Sequence, residues 1–260
     1  MIAGSVGDQV GKAMSREPFD ENTNPVSHEA TIGILQSNSR IAMAPGDVGN
    51  ARTFNFPVVY RVVDELSSDR LIVHADPALA GPIIREARAL EEMGVSAIMG
   101  DCGHMIQFQK EVAAAVHIPV FLSSWLQVPF ISRIIPPHQK IGVLMANSRY
   151  LRKEYLKNAG IDETIPMIVV GMESQPAFRA AIIEESGNLD TAVVEQEIVG
   201  VARKLKQEHP DIGAVFLECS DMPPYAAAIQ EALHLPVFDF VTMINYLHAT
   251  LTRTRFEGAE

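Results

Sequence analysis

This chain contains two stretches that each run through apolar residues into a cysteine: Val95-Ser96-Ala97-Ile98-Met99-Gly100-Asp101-Cys102 and Gly213-Ala214-Val215-Phe216-Leu217-Glu218-Cys219. The sequence has no other cysteines. After each of them Met, Ala, His and Pro-Val-Phe recur at offsets 3, 13, 15 and 17–19. Unrelated windows of this composition would rarely agree at so many positions. The repeat predicts two related halves, each presenting one thiol from the same place.

Short apolar strands alternate with helical patterns along the rest of the chain. This alternation predicts parallel sheets with right-handed crossovers, and wholly apolar strands indicate sheets covered on both faces. We therefore expect an α/β fold of two pseudo-symmetric, Rossmann-like lobes with the active site in the cleft between them. The predicted parts are an N-terminal extension (1–28), a first lobe (29–137), a second lobe (138–240) and a C-terminal helix (241–260) that completes the first lobe.

The composition narrows the choice of partners. The 260 residues carry a net charge of −11, with 47% hydrophobic and 20% charged residues, which is ordinary for a globular enzyme. An acidic surface disfavours nucleic acid and anionic membranes as partners. No apolar run is long enough to span a bilayer, and the N-terminus does not resemble a secretory signal. Two cysteines without metal-ligand or CxxC spacing are typical of reduced thiols in the cytoplasm.

The two thiols are the candidate catalytic groups. Cys102 and Cys219 are each predicted to end a strand, and ligands of open parallel sheets bind beyond the carboxyl ends of the strands. Each cysteine also precedes a predicted helix, whose N-terminus can hold a carboxylate and lower a thiol pKa. The alternative is that each is a buried cysteine acting as a small hydrophobe. Two cysteines at equivalent strand ends favour the functional interpretation.

Neighbouring polar residues are candidates for binding the substrate. Gly103 suits a tight turn where backbone approaches a ligand. His104 can donate to a carboxylate, tune Cys102, or simply be an exposed first-turn residue. Ser220 and Asp221 can contact substrate or cap the following helix.

Three further residues follow strands of the predicted sheets. Asn147 and Ser148 open a helix after the strand that ends at Ala146, and they form an anion site or an ordinary N-cap. Ser124 ends the strand after the first thiol helix and can line the same crevice.

Sequence motifs for other chemistries are missing. The chain has no GxGxxG after its first strand, no GxxxxGK[ST] and no GxSxG. A zinc site formed by both thiols and His104 lacks the usual spacing. The sequence therefore predicts thiol chemistry with no metal and no cofactor.

The runs around both cysteines resemble the aspartate/glutamate/hydantoin racemase superfamily, from about Thr31 to His248. The resemblance implies two facing lobes with one cysteine apiece, which abstract and return a proton next to a carboxylate without a cofactor. Cys102 and Cys219 would be those residues. Amino-acid racemases typically have Asn-Thr and Thr-Glu after the two cysteines, whereas this chain has Gly103-His104 and Ser220-Asp221.

More specific runs resemble the branch that contains the algal dimethylsulfoniopropionate (DMSP) lyases; they are Pro45-Gly46-Asp47, Phe56-Pro57-Val58, Gly100-Asp101-Cys102-Gly103 and Glu218-Cys219 with Pro223-Pro224-Tyr225. His104 stands where Phe is expected in those lyases. The resemblance implies a small carboxylate substrate, a homo-oligomer, and DMSP cleavage as the first expectation. Amino-acid racemisation is the second, and a two-lobed binding protein without turnover is the third.

Overall fold

The computed structural model describes residues 30–253, which form two four-stranded sheets with all strands parallel. The strands of the first sheet are β1 (Ile32–Ser37), β2 (Val58–Val63), β3 (Ala97–Gly100) and β4 (Val120–Phe121). Those of the second are β5 (Lys140–Met145), β6 (Met167–Gly171), β7 (Ile212–Leu217) and β8 (Val237–Phe238). The spatial orders are β2-β1-β3-β4 and β6-β5-β7-β8, so the second sheet repeats the first. The predicted α/β fold with two pseudo-symmetric lobes is confirmed.

The strand register carries the same repeat. In the first sheet Val120 pairs with Ile98, and in the second Val237 pairs with Val215, so each partner lies 22 residues earlier in the chain. Ile98 and Val215 each lie four residues before their cysteine, and Val120 and Val237 each lie 18 residues after it. The sequence repeat is therefore a structural repeat.

Helices cover the sheets on both faces. The α-helices are α1 (Ala80–Glu92), α2 (Gln109–Ala113), α3 (Val128–Ile134), α4 (Lys153–Asn158), α5 (Pro176–Phe178), α6 (Thr191–Glu208), α7 (Ala226–Leu233) and α8 (Phe240–Leu251). The 3₁₀ turns are Ala51–Thr53, Pro77–Leu79, Gly103–Phe108, Ser124–Gln127, Ser148–Tyr150 and Pro223–Tyr225. Two π-helices, Asp69–Val73 and Arg179–Ile183, occupy matching places in the two halves.

The longest helix shows why these segments are helical. In α6 the buried residues Val194, Ile198, Ala202 and Leu205 recur every three or four positions, which places them on one face. Asp190 caps its N-terminus by accepting hydrogen bonds from two backbone N–H groups. The buried face packs into a core that includes Leu144 and Val215 of the second sheet.

The last helix packs on the first sheet although it follows the second in sequence. Phe240, Met243 and Ile244 of α8 share a buried cluster with Ile32 and Met99. The domain boundaries at 28, 137 and 240 remain a prediction. The N-terminal extension 1–28 and the end of the predicted helix 241–260 lie outside the described residues.

Two local predictions were wrong. The strands before the cysteines end at Gly100 and Leu217, so each cysteine lies two residues beyond its strand. The neighbouring strands β4 and β8 have only two residues each, although Glu218, directly before Cys219, still donates its N–H to the Leu144 carbonyl at 2.9 Å. The helix predicted directly after Cys102 begins instead as a 3₁₀ turn, Gly103–Phe108.

Candidate active site

One cavity of about 500 Å³ lies between the two halves and is lined by both cysteines. Its wall comes from the loops that follow β1, β3, β5 and β7, together with the two π-helices. These loops lie at the carboxyl ends of parallel strands, which is where open α/β sheets bind ligands. Cys219 is buried and Cys102 is partly exposed, and neither forms a disulfide.

The two cysteine loops touch each other directly. Gly103, which follows Cys102, packs against Glu218, which precedes Cys219; a β-carbon on Gly103 would overlap Oε1 of Glu218 and lie 2.9 Å from its carbonyl oxygen. Ser124 Oγ donates to that carbonyl oxygen at 3.1 Å. Glycine is therefore required at position 103, because Glu218 of the other half occupies the space that a β-carbon would need.

Each thiol has a side-chain partner two residues later in the chain. Cys219 Sγ donates to Asp221 Oδ2 at 3.1 Å, and Cys102 Sγ lies 3.8 Å from His104 Nδ1. The same Nδ1 lies 3.5 Å from Glu218 Oε1. The partner is an acid in one half and an imidazole in the other, so the two thiols are chemically different despite the repeat.

The pKa of both thiols is raised, contrary to the expectation that helix N-termini would lower it. Burial is the largest cause for both Cys102 and Cys219. The charges of Glu218 and Asp221 raise the pKa of both thiols further. The backbone N–H groups of His104 and Asp221 act in the opposite direction on the adjacent sulfur, but burial and charge outweigh them.

Buried carboxyl groups surround the thiols. Burial raises the pKa of Asp101 to about 7, that of Glu218 to about 8 and that of Asp47 to about 9. The charge of Asp221 adds to each of these shifts, and the pKa of Asp221 is itself raised by burial. His104 moves the other way, because burial lowers its pKa to about 4 and keeps the imidazole neutral.

The loop that carries Asp47 is fixed onto the second cysteine loop. Gly46 adopts φ +101° and packs against Pro224, where a β-carbon would lie 2.8 Å from the Cα of that proline. Val48 N–H donates to the Ser220 carbonyl at 3.4 Å, and Gly49 N–H donates to Asp47 Oδ1 at 2.8 Å. These contacts hold the Asp47 carboxyl group beside the Cys219 loop.

The π-helices form opposing parts of the cavity wall. Arg152 from the second half donates to the carbonyl of Val73 at 2.8 Å, at the end of the first π-helix. Glu185, two residues beyond the second π-helix, accepts from Arg40 N at 3.0 Å and from Ser68 Oγ. The wall of the cavity is therefore tied across the two halves.

Four of the six predicted binding residues line the cavity with the thiols: Gly103, His104, Asn147 and Ser220. Ser124 and Ser148 do not line it. Ser124 is fully buried on Glu218, and Ser148 binds Glu173 through both its N–H and its Oγ. The Asn147 oxygen caps the 3₁₀ turn by accepting from Arg149 N, so its NH₂ is the donor it can offer a ligand.

The carboxyl groups were largely missed by sequence analysis. Asp101 and Glu218 stand immediately before the two cysteines, so an acid in the same place of both repeats was the available signal. Asp47 has no counterpart in the repeat; it was identified only within the Pro45-Gly46-Asp47 run, and its loop reaches the site through the fold. In residues 30–253 no three or more His, Cys, Asp or Glu side chains are arranged to hold a metal ion. None of the described helices has the length and apolar composition to cross a membrane.

Two matching parallel sheets around a shared cavity are the architecture of a class of α/β racemases and related enzymes. Allantoin racemase from Pseudomonas fluorescens has the same fold, with a TM-score of 0.58 and 14% identity, covering 85% of this chain and 90% of its own. The sequence profile of the Asp/Glu/Hydantoin racemase family matches residues 58–244. The chain belongs to this family.

The curated relatives are enzymes too. The chain is 29% identical to dimethylsulfoniopropionate lyase 7 of Emiliania huxleyi, over 97% of this chain and 77% of the relative. It is 31% identical to the dimethylsulfoniopropionate lyase of Durusdinium sp. clade D, over 86% of this chain and 75% of the relative. The protein is therefore an enzyme, of the lyase or the racemase type.

Proposed function

We propose that this protein is a cofactor-independent lyase that cleaves DMSP into dimethyl sulfide and acrylate. The observation that carries the proposal is the cavity shared by Cys102 and Cys219, whose other ionisable groups are mostly carboxyl groups. The similarity to DMSP lyases, which extends over most of both chains, supports the same substrate.

The charge of the cavity favours a cationic substrate with a single carboxylate. Arg40 is the one guanidinium among the described residues of the wall, which also holds seven carboxyl groups: Asp47, Asp69, Asp101, Glu184, Glu185, Glu218 and Asp221. Aspartate and glutamate carry two carboxylates and one ammonium, so those wall carboxyl groups that are ionised repel their net charge. DMSP carries one carboxylate and one sulfonium, and its net charge is zero.

The proposed step is a β-elimination. The thiolate of Cys219 takes the proton from the carbon next to the carboxylate, the electron pair forms the carbon–carbon double bond, and the carbon–sulfur bond breaks. Dimethyl sulfide leaves as a neutral molecule, acrylate keeps the carboxylate, and one proton is released in all. A thiolate serves as the base once its proton has been removed.

The two thiols have different roles in this proposal. The Cys219 proton is directed at Asp221 Oδ2, which leaves the sulfur lone pairs for the substrate. Cys102 orients the substrate or returns a proton from the opposite side. The substrate carboxylate is held by hydrogen-bond donors that also stabilise the negative charge developing on it. These donors come from Gly103, His104, Asn147 and Ser220. Ser124 and Ser148 support these loops without contacting the ligand.

Headspace analysis of dimethyl sulfide tests the proposal. Purified protein given DMSP should release dimethyl sulfide and acrylate in equal amounts. Cys219→Ala should lower kcat by at least about 10³-fold, because the base is lost. Cys102→Ala should keep measurable turnover. Full release by the Cys219→Ala variant would remove the assigned base, and absence of release by the wild-type protein would overturn the function.

Amino-acid racemisation is the second candidate. It is favoured by the presence of one thiol from each half on the same cavity, as a two-base inversion requires. In D₂O, incubation with L- or D-aspartate or glutamate should then give deuterium at the α-carbon together with inversion. In that case both cysteines should be equally necessary.

A further inference from the structure

We propose that Asp47, Asp101 and Asp221 form an onium subsite, a pocket for the fully alkylated cationic end of the substrate, located beside Cys219. This inference rests on the proposed function, because it names the residues that recognise the sulfonium group. It concerns binding alone and can be tested without turnover.

The three carboxyl groups are brought together by the fold. Asp47 lies on the loop after β1, Asp101 follows β3 and Asp221 follows β7, and all three line the same cavity. Asp47 is influenced by the charges of both other groups. Like charges held this close in a buried site oppose each other, and a bound cation relieves that repulsion.

Asp101 has an acceptor with nothing bound to it among the described residues. The side chain is 6% exposed, its Oδ2 accepts from Ser37 N at 2.8 Å and from Ser37 Oγ at 3.0 Å, and its Oδ1 has no hydrogen-bond partner. A buried carboxyl oxygen without a partner is costly. Because Asp101 lines the cavity, a bound cation places positive charge beside this oxygen and offsets the cost electrostatically.

The wall suits an alkylated cation better than a metal ion or an ammonium. A metal ion needs ligands in a fixed array, which the described residues do not provide. An ammonium needs an acceptor for each N–H, whereas an onium group has none and requires only nearby negative charge and apolar surface. The apolar wall residues Ile41, Met43, Ile72, Val73, Ile182 and Ile183 can receive its methyl groups.

The position fits the proposed reaction. Asp221 Oδ2 lies 3.1 Å from Cys219 Sγ, so a cation held by Asp221 lies beside the base. In DMSP the sulfonium is bonded to the carbon next to the one that loses the proton. Binding the onium group at this cluster therefore presents that proton to Cys219.

Onium binding should be coupled to proton release. The ionisable groups that influence the cluster are Cys102, Cys219, Glu218, Glu185, Tyr60 and Tyr225, none of which can carry a positive charge, and within residues 30–253 Arg40 is the one guanidinium of the same cavity wall. Burial and Asp221 raise the pKa of Asp47 to about 9, so this group holds a proton in the empty site. A cation favours the ionised form and lowers that pKa, so affinity should rise with pH up to about 9.

Two isosteric acids test the subsite by isothermal titration calorimetry. 3-(Trimethylammonio)propionate carries an onium group, and 4,4-dimethylpentanoate has the same shape with carbon in place of nitrogen. The wild-type protein should bind the first at least tenfold more tightly than the second. The heat should vary with the ionisation enthalpy of the buffer for the onium acid only, because only that acid expels protons.

Substitutions in the cluster should remove this preference. Asp47→Asn and Asp221→Asn should each reduce the affinity for the onium acid at least tenfold. The affinity for 4,4-dimethylpentanoate should change less than threefold, and this unchanged binding shows that the site remains intact in each variant. The control Asp64→Asn removes an exposed carboxylate that does not line the cavity and should have less than a twofold effect. Equal affinity of the wild-type protein for both acids, or an unchanged preference in both cluster variants, would overturn the subsite.

Failure of the lyase proposal gives a different result. If the protein prefers the onium acid but releases no dimethyl sulfide, the subsite is supported and the proposed reaction is refuted. If the protein releases dimethyl sulfide but binds both acids equally, the reaction is supported and the subsite is refuted.

Discussion

Gly103 packs directly against Glu218, so the residue after the first cysteine touches the residue before the second. His104 Nδ1 lies 3.5 Å from the same carboxyl group. The two cysteine loops therefore form one unit, and any change in their separation alters both thiols at once.

Gly103→Ala should disturb this unit. The added methyl group overlaps the Glu218 side chain and should destabilise the protein by about 1–3 kcal/mol, as overpacking does. Thermal unfolding and dimethyl sulfide release measure the two effects, and activity should fall at least tenfold. Gly200→Ala is the control, because no atom lies within 4 Å of a β-carbon there, and it should stabilise α6 by roughly 0.5–1 kcal/mol. Unchanged activity of Gly103→Ala would contradict the tight contact.

Turnover should increase toward alkaline pH. Burial and the neighbouring carboxylates raise the pKa of Cys102 and Cys219, so little thiolate is present at neutral pH. Below the thiol pKa, the thiolate fraction increases about tenfold for each pH unit. A pH profile of kcat/KM should therefore climb from pH 7 to 9. A plateau that begins near pH 6 would show that the base is not a thiol with a raised pKa.

Asp47→Asn should stabilise the protein at alkaline pH. The folded-state pKa of Asp47 is about 9 against an ordinary 3.8, so the folded state holds a proton that the unfolded state gives up as pH rises through this window. Stability is consequently lost between about pH 4 and 9. The variant should unfold at least about 3 °C higher than the wild-type protein at pH 8 and nearly equally at pH 4. Equal melting temperatures at pH 8 would contradict the raised pKa.

Arg152→Met should loosen the cavity wall. Arg152 is the side chain of the second half that holds the Val73 carbonyl, and a hydrogen bond from a charged donor is worth about 1.5–3 kcal/mol. KM for DMSP should rise roughly tenfold with a smaller change in kcat, and cleavage by proteases near residues 69–75 should accelerate. Arg149→Met changes an exposed arginine three residues earlier and should have little effect. If both variants behave alike, the wall does not depend on this contact.

The amino-acid sequence alone determined the larger features. Alternating apolar strands and helices fixed the parallel α/β class, and the spacing after Cys102 and Cys219 identified the duplication, because strand pairing follows local pattern and repeat length. Equivalent strand ends in a duplicated fold also predicted that both thiols face one cavity, which they line.

Tertiary structure decided the chemistry of that cavity. Asp47 is 174 positions from Asp221, and their loops are brought together by tertiary contacts, the packing of Gly46 on Pro224 and the hydrogen bond from Val48 N–H to the Ser220 carbonyl. Whether a thiol pKa rises or falls depends on burial and on charges from distant segments, which no local pattern records. The helix N-termini expected from sequence gave way to 3₁₀ turns, and acids from both halves set the electrostatics of the site. The physical reason is that the chemistry of the cavity depends on contacts between residues that are far apart in sequence, and these contacts form only when the chain folds.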